Sequence, residues 1–276
     1  MLELKFPLKK KLHLGLALGG GGAKGLAHIE FLKILDELEI KPAIISGTSL
    51  GAMIGAMYCS GLNALNIEEF YKKTTLLELS KLIDLAIPAI HGLVKGDRIV
   101  KFLTKEVGLT TFEDLQIPLK IIATDYWNKK QVILNHGNLV KAIRASISVP
   151  GIFEPVHHLG RILTDGGAVN PVPFDIIREE CDILVAIDVT GRQRPDSNSE
   201  ELPNIFDCII NSFHIMESSL LENKLAKSKP DFLYQPDIIN TSIIDFTHYD
   251  EIIEYSLPEL KCFREDMLKL KPRLWK

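Results

Sequence analysis

Apolar positions near the start of the chain follow two different periods. Residues 12–18 are apolar at nearly every position, which is typical of a central strand buried on both faces. Residues 26–39 place an apolar side chain every three or four positions with charges between them, which predicts an amphipathic helix. A β-prone segment at 43–46 and a wholly apolar run at 50–59 predict a second strand and a buried helix.

The rest of the chain continues this alternation. Further strands are predicted at 119–126, 131–134, 161–164, 183–189 and 232–234, and helices at 138–146, 174–180 and 205–227. At the C-terminus, 249–270 is predicted as helices broken at Pro258. Residues 62–115 show helical patches, among them 67–73 and 76–85, and weak β signals. The pattern predicts a single α/β domain around a mainly parallel sheet, with a helical cap at about 62–115.

Composition narrows the classes of function. The 276 residues are 46% hydrophobic with a net charge of −4, and no basic stripe appears, so a nucleic-acid partner is not expected. The four cysteines are far apart and form no CxxC pair, so neither a disulfide scaffold nor a metal site is expected. No secretory signal and no apolar run of 18 residues is found, which predicts a cytoplasmic or peripherally membrane-associated protein. The basic residues 9–11 have two interpretations: a solvated segment, which we favour, and transient contact with an anionic membrane surface.

One stretch at the second strand carries candidate chemistry. The strand runs into Gly47-Thr48-Ser49-Leu50-Gly51 and the buried helix follows. This is the nucleophile-elbow pattern, which places a serine on a tight strand-to-helix turn with its oxygen exposed. Glycines two positions on either side permit the close backbone approach that the turn needs. The competing interpretation is a plain β–turn–α connection in which Ser49 only caps the helix.

A glycine run after the first strand has two possible functions. Its spacing, Gly20-x-Gly22-x-x-Gly25, matches the dinucleotide-binding fingerprint, but that fold needs an acidic residue at the end of the second strand and none is present. Backbone amides of such a run at a helix N-terminus can instead hold an anion, here the oxyanion of acyl transfer. The candidate oxyanion loop comprises Gly20, Gly21, Gly22, Ala23, Lys24 and Gly25. Lys24 is interpreted either as positive charge for the loop or a head group, or as a solvated side chain.

A carboxylate on a tight turn completes the constellation. Asp165 ends a predicted strand and is followed by Gly166 and Gly167, which directs it to the same sheet edge as Ser49. Serine hydrolases usually use a histidine base, but none of the eight histidines lies in a recognisable motif. If Asp165 accepts the Ser49 proton directly, burial must raise its pKa from about 3.9.

These three motifs, in this order and spacing, resemble those of the patatin-like phospholipases. Residues 145–156 and Asn170-Pro171 resemble the blocks on either side of the family's aspartate, and the similarity covers about 12–190. The resemblance implies a three-layer α/β/α fold and a lipid acyl hydrolase with a Ser49–Asp165 dyad and no cofactor. It also implies an oxyanion hole formed mainly by Gly21 and Gly22, and a lipid or acyl-ester substrate. Lys24 stands where many members have arginine.

The domain expectation is one unit over 1–276, with the motif core at about 12–190 and C-terminal helices at about 204–276. Two alternatives to the hydrolase stay open. The first is an acyltransferase on a related serine-nucleophile fold, although that fold usually uses a histidine base. The second is a nucleotide-binding or regulatory module in which Ser49 is idle. The sequence sets no oligomeric state.

Overall fold

The computed structural model describes residues 11–74, 96–108, 110–191, 202, 204–239, 241–244 and 246–274. Its strands are β1 (Leu14–Leu18), β2 (Ile44–Thr48), β3 (Leu119–Asp125), β4 (Lys130–Leu134), β5 (Val156–His158), β6 (Arg161–Asp165), β7 (Ile183–Ile187) and β8 (Phe232–Tyr234). Its α-helices are α1 (Ala27–Glu37), α2 (Leu50–Cys59), α3 (Ala64–Thr74), α4 (Asp97–Lys101), α5 (Leu139–Ser146), α6 (Ile205–Leu225) and α7 (Tyr249–Leu270). None of these described helices is long and apolar enough to cross a bilayer.

The strands form one eight-stranded sheet in the order β5-β6-β3-β2-β1-β7-β8, with β4 paired to β3 beside this path. Five neighbouring strands, in the spatial order β3-β2-β1-β7-β8, run parallel to one another. The other three, β4, β5 and β6, join the sheet by antiparallel pairing. The predicted mainly parallel α/β sheet is therefore confirmed. Because β2 lies at its centre, the residue after β2 emerges near the middle of the sheet edge, where such sheets place their sites.

Both faces of the sheet are covered, so the predicted three-layer architecture is present. Leu14, Leu16 and Leu18 of β1 face a core shared with α1, α2, α5 and α7. Ala17 faces a second core against Phe174, Ile177 and Leu221 on the other side. The strand is apolar at every position because alternate side chains enter two different cores.

Three local predictions need correction. Residues 249–270 form one helix with Pro258 inside it, because Ile252, Leu260 and Phe263 bury one face on both sides of the proline and outweigh the lost backbone hydrogen bond. Phe174–Glu180 is a 3₁₀ helix, the form common in short connectors. Strand β5 lies where no strand was predicted, since it is three residues long and pairs only with β6.

The described part of the predicted cap is helical: it comprises α3, α4 with the π-helical turn Phe102–Glu106, and a short 3₁₀ turn at Phe112–Asp114. The predicted helix at 76–85, the loop residues 192–201 and the basic residues Lys9 and Lys10 lie outside the described residues. The two strands predicted at 119–126 and 131–134 are present as β3 and β4, which pair with each other antiparallel.

Candidate active site

The serine of the predicted elbow lies on a strained turn. Ser49 joins β2 to α2 with φ 53° and ψ −126°, a backbone conformation that residues other than glycine rarely adopt. A β-carbon on Gly51 would lie 2.5 Å from the carbonyl oxygens of Leu18 and Gly19, so only glycine fits there. The Ser49 amide donates a hydrogen bond of 2.9 Å to Ser146 Oγ. The helix after the turn is therefore pressed against the end of β1, and Ser49 is fixed at their junction.

Ser49 and Asp165 are in direct contact. Ser49 Oγ donates to Asp165 Oδ2 at 2.8 Å, with both residues buried. The aspartate is held from its other side, since Oδ1 accepts from the Gly167 amide at 2.7 Å. Its backbone is fixed by Thr124 Oγ1, which donates to the Asp165 carbonyl at 2.7 Å. Of the two carboxylate oxygens, Oδ2 is thus the one directed at the serine.

The aspartate is a weaker acid than usual. Burial, and then the negative charge of Glu217, raise the pKa of Asp165 from 3.8 to about 7. The hydrogen bonds from Gly167 and Ser49 oppose this shift because they favour the ionised form. A carboxyl group with a pKa near neutrality can both accept and return a proton under ordinary conditions.

The glycine loop lies beside the serine. A β-carbon on Gly20 would lie 3.4 Å from Ser49 Cβ. The amides of Gly20 and Ala23 donate to the carbonyls of Pro171 and Ile243, which anchors the loop at two points. Gly22, between them, has φ +55°, and a β-carbon there would lie 2.4 Å from the Ile243 carbonyl. The loop conformation therefore depends on glycine at this position.

Lys24 is not the solvated side chain of one of its two interpretations, and its role as positive charge for the loop or a head group stays a prediction. It is 3% exposed, and its ammonium donates to the Thr190 carbonyl at 2.6 Å. Burial lowers the pKa of Lys24, while the charges of Asp188 and Glu217 oppose that change. The side chain therefore links the glycine loop to the residues after β7 and is not solvated.

Among the described residues, no histidine hydrogen-bonds to the Ser49 or Asp165 side chain. His28 is fully buried on α1, where Nε2 contacts the Gly19 carbonyl at 2.8 Å. Burial lowers the pKa of His28 to about 4, so the ring is neutral. Nor does the described part of the chain bring together three His, Cys, Asp or Glu side chains as metal ligands would require.

An apolar cavity of about 130 Å³ opens beside Ser49. Its walls come from the glycine loop, α2, the cap helices and the segments after α5 and β8. It is lined by Gly22, Leu26, Ile29, Ser49, Leu50, Met53, Ile54, Met57, Ile67, Tyr71, Ile99, Phe102, Ile147, Val149, Ile152, Phe153, Ile243, Ile244 and Phe246. Two methionines of α2, Met53 and Met57, are among these lining residues, and their flexible side chains suit an adaptable apolar surface.

Comparison with known proteins agrees with this geometry. The family model described as patatin-like phospholipase matches residues 16–178, which include all three motifs. The chain belongs to the patatin-like phospholipase family.

An uncharacterised NTE family protein of Mycobacterium tuberculosis is 33% identical over 222 residues, which is 79% of this chain and 60% of that protein. The protein named lysophospholipase NTE1 of Saccharomyces cerevisiae is 27% identical over 92% of this chain, but this is only 17% of its own length. The chain thus spans about three fifths of the length of the mycobacterial protein and about a sixth of the length of the yeast protein. The crystal structure of VipD from Legionella pneumophila superposes with a TM-score of 0.59 at 14% identity, over 96% of this chain and 72% of that chain, which supports the fold.

Sequence reasoning gave no role to several residues around the dyad. Ser146 and Ser148 lie in the block before the aspartate, and their hydroxyl or carbonyl groups hold Ser49, Thr164 and Asp165. Glu217 lies on α6, outside every motif. A serine pair just before a Pro-Gly turn was a visible signal for the first two, whereas nothing in the local sequence of α6 distinguishes Glu217 from a solvated residue.

Proposed function

We propose that this patatin-like protein hydrolyses carboxylic esters of lipids, as a phospholipase A or lysophospholipase does. The observation that carries the proposal is the 2.8 Å hydrogen bond from Ser49 Oγ to Asp165 Oδ2 at the edge of an apolar cavity. A serine without a base is a weak nucleophile, and a base within hydrogen-bond distance activates it. The family and the name of the yeast relative favour a lipid ester as substrate.

In the proposed first half-reaction, Ser49 Oγ attacks the ester carbonyl carbon while its proton passes to Asp165 Oδ2. The tetrahedral intermediate carries a negative charge on the former carbonyl oxygen. When it collapses, the carbon–oxygen bond to the alcohol breaks and the alcohol takes the proton from Asp165. Ser49 is left as an acyl ester, the covalent intermediate typical of serine nucleophiles.

The glycine loop supplies the proposed oxyanion donors. Because the amides of Gly20 and Ala23 donate to backbone carbonyls, the amides of Gly21 and Gly22 are the donors that we assign to the oxyanion. Each such donor contributes about 2.7–4 kcal/mol to transition-state stabilisation. Lys24 and His28 act indirectly: Lys24 binds the Thr190 carbonyl after β7, and His28 binds the carbonyl of Gly19, the residue before the loop.

In the second half-reaction a water molecule gives a proton to Asp165 and its oxygen attacks the acyl carbon. The bond to Ser49 Oγ breaks, the fatty acid leaves, and Asp165 returns the proton to Ser49. A pKa of about 7 suits both transfers, because a stronger acid would be a poor base and a weaker one a poor donor.

The apolar cavity is the proposed acyl site. Among the described residues that line it, only Ser49 and Tyr71 carry a hydroxyl group and none is charged, so it suits a hydrocarbon chain and not a charged head group. The head group would then lie outside it. Because Ser49 lines the cavity, an ester whose acyl chain binds there would present its carbonyl to the nucleophile.

The test is a panel of phospholipids, lysophospholipids and neutral lipids assayed with the wild type, Ser49→Ala and Asp165→Ala. We expect fatty-acid release by the wild type and a loss of at least about 10³-fold in both variants, because dyad members act as a unit. A fluorophosphonate probe should label the wild type and not Ser49→Ala. Unchanged hydrolysis by Ser49→Ala, or binding of a nucleotide without any ester hydrolysis, would refute the proposal.

A further inference from the structure

Helix α6 buries an acidic side chain against the turn that holds Asp165. Glu217 is 3% exposed, although it belongs to a helix whose neighbouring residues are largely exposed. Its Oε1 lies 1.9 Å from the position that a β-carbon on Gly167 would take, and Asp165 Oδ1 lies 3.0 Å from the same position. The two carboxyl groups therefore flank one glycine, whose amide donates to Asp165.

The charged groups around Glu217 come from three parts of the fold. His214, one turn earlier on α6, places Nδ1 2.8 Å from Glu217 Oε2 and donates to it when the carboxylate is ionised. Lys24 of the glycine loop and Asp188 after β7 also act on it electrostatically. Burial raises the pKa of Glu217, Asp188 adds to this, and His214 and Lys24 oppose it.

We propose that Glu217 is a positioning residue for the Ser49–Asp165 dyad, a role that rests on the proposed hydrolase function. Its carboxylate packs against the Gly167 turn that orients Asp165 and keeps a second negative charge behind the base. Two carboxylates in one closed site do not ionise independently, so the charge of Glu217 makes Asp165 hold its proton more strongly. Asp165 is then a better proton acceptor than burial alone would make it.

The experiment replaces Glu217 with Gln, which keeps the size and removes the charge. The acidic limb of kcat/KM against pH reports the base of the free enzyme. We expect this limb to move to lower pH by about one unit in Glu217→Gln, as expected when a like charge is removed. Glu217→Asp keeps the charge and should restore the limb toward its wild-type position.

The matched control is Glu222→Gln, an exposed glutamate on the same helix, for which no shift of the limb is expected. Thermal unfolding of each variant separates loss of fold from loss of charge. If Glu217→Gln lowers kcat/KM equally at every pH and leaves the limb in place, Glu217 is only structural and the proposal is overturned.

A second measurement needs no turnover. The Asp165 carboxyl can be titrated by ¹³C NMR, with its resonance assigned from Asp165→Asn, and its midpoint should fall in Glu217→Gln. A wild type without Ser49-dependent hydrolysis would refute the proposed function, yet the titration would still decide the role of Glu217. Conversely, hydrolysis that requires Ser49, together with an unmoved Asp165 midpoint, would refute only the role of Glu217.

Discussion

Ser146 Oγ accepts a hydrogen bond from the Ser49 amide at 2.9 Å, and it thereby joins the end of α5 to the turn between β2 and α2. Ser49 has a positive φ, which costs free energy in any residue with a side chain. The hydroxyl of Ser146, which is fully buried, offsets part of this cost. The strained elbow is therefore held by a residue from a different element.

Replacement of Ser146 by Ala should weaken the elbow. The Ser49 amide would lose its acceptor in a buried site, which costs about 1–3 kcal/mol of unfolding free energy. We expect kcat to fall about tenfold or more, because a small displacement of a nucleophile is costly. Denaturant unfolding and single-substrate kinetics measure the two effects. Ser60→Ala, which removes a hydroxyl at the other end of α2, should leave kcat unchanged.

Asp165→Asn should stabilise the protein at neutral pH and not at acidic pH. The pKa of Asp165 is about 7 in the folded state and 3.8 when unperturbed, so the unfolded state loses its proton first as the pH rises. The free energy of unfolding of the wild type therefore decreases as the pH rises from the lower to the higher of these values. The Asn variant does not share this loss. The difference in unfolding free energy should grow from near zero below pH 4 to about 2–4 kcal/mol above pH 7. A difference that is constant across the pH range would contradict the assigned pKa.

Gly22→Ala should strongly reduce the proposed ester hydrolysis, and a second glycine provides the control. Both Gly22 and Gly160 have positive φ, but a β-carbon on Gly22 would lie 2.4 Å from the Ile243 carbonyl whereas nothing lies within 4 Å at Gly160. Each substitution carries a conformational cost of about 1–2 kcal/mol. Only Gly22→Ala must also displace the loop, so we expect kcat/KM to fall about 10²-fold there and by less than twofold in Gly160→Ala.

Met53→Trp should shorten the acyl chain that is accepted. Met53 lines the cavity on α2, and a larger ring there would fill space proposed for the distal methylenes. We expect kcat/KM for dodecanoyl esters to fall at least about tenfold and that for butanoyl esters to change little. Met216→Trp, at an exposed methionine of α6, is the control. An equal loss for both chain lengths would place the acyl chain elsewhere.

Local sequence predicted much of the fold because the central strands and α1 and α2 carry strong periodicity. Helix α2 was predicted with its observed bounds, and the strand of Asp165 ended one residue later than predicted. The 3₁₀ form of Phe174–Glu180 and the continuity of α7 through Pro258 were missed, since both depend on packing with distant elements.

Some residues of the candidate site could likewise be predicted from local sequence, and others could not. The sequence identified Ser49, Asp165 and the glycine loop, because tight turns require glycine at fixed positions. It could not identify Glu217, whose burial depends on how α6 crosses the turn at Gly167. It also could not decide the position of Lys24, since the Thr190 carbonyl that binds it is distant in sequence.

Strand β3 lies between the two strands that end at the dyad: it runs parallel to β2 and antiparallel to β6, with Ala123 opposite Asp165. A slip of one residue along β6 would turn Asp165 to the opposite face of the sheet. Such a molecule would lose the hydrogen bond between Ser49 and Asp165, and with it the proposed hydrolysis. The specific activity of a purified sample would therefore report the fraction of molecules in which β6 pairs with β3 in the register observed here.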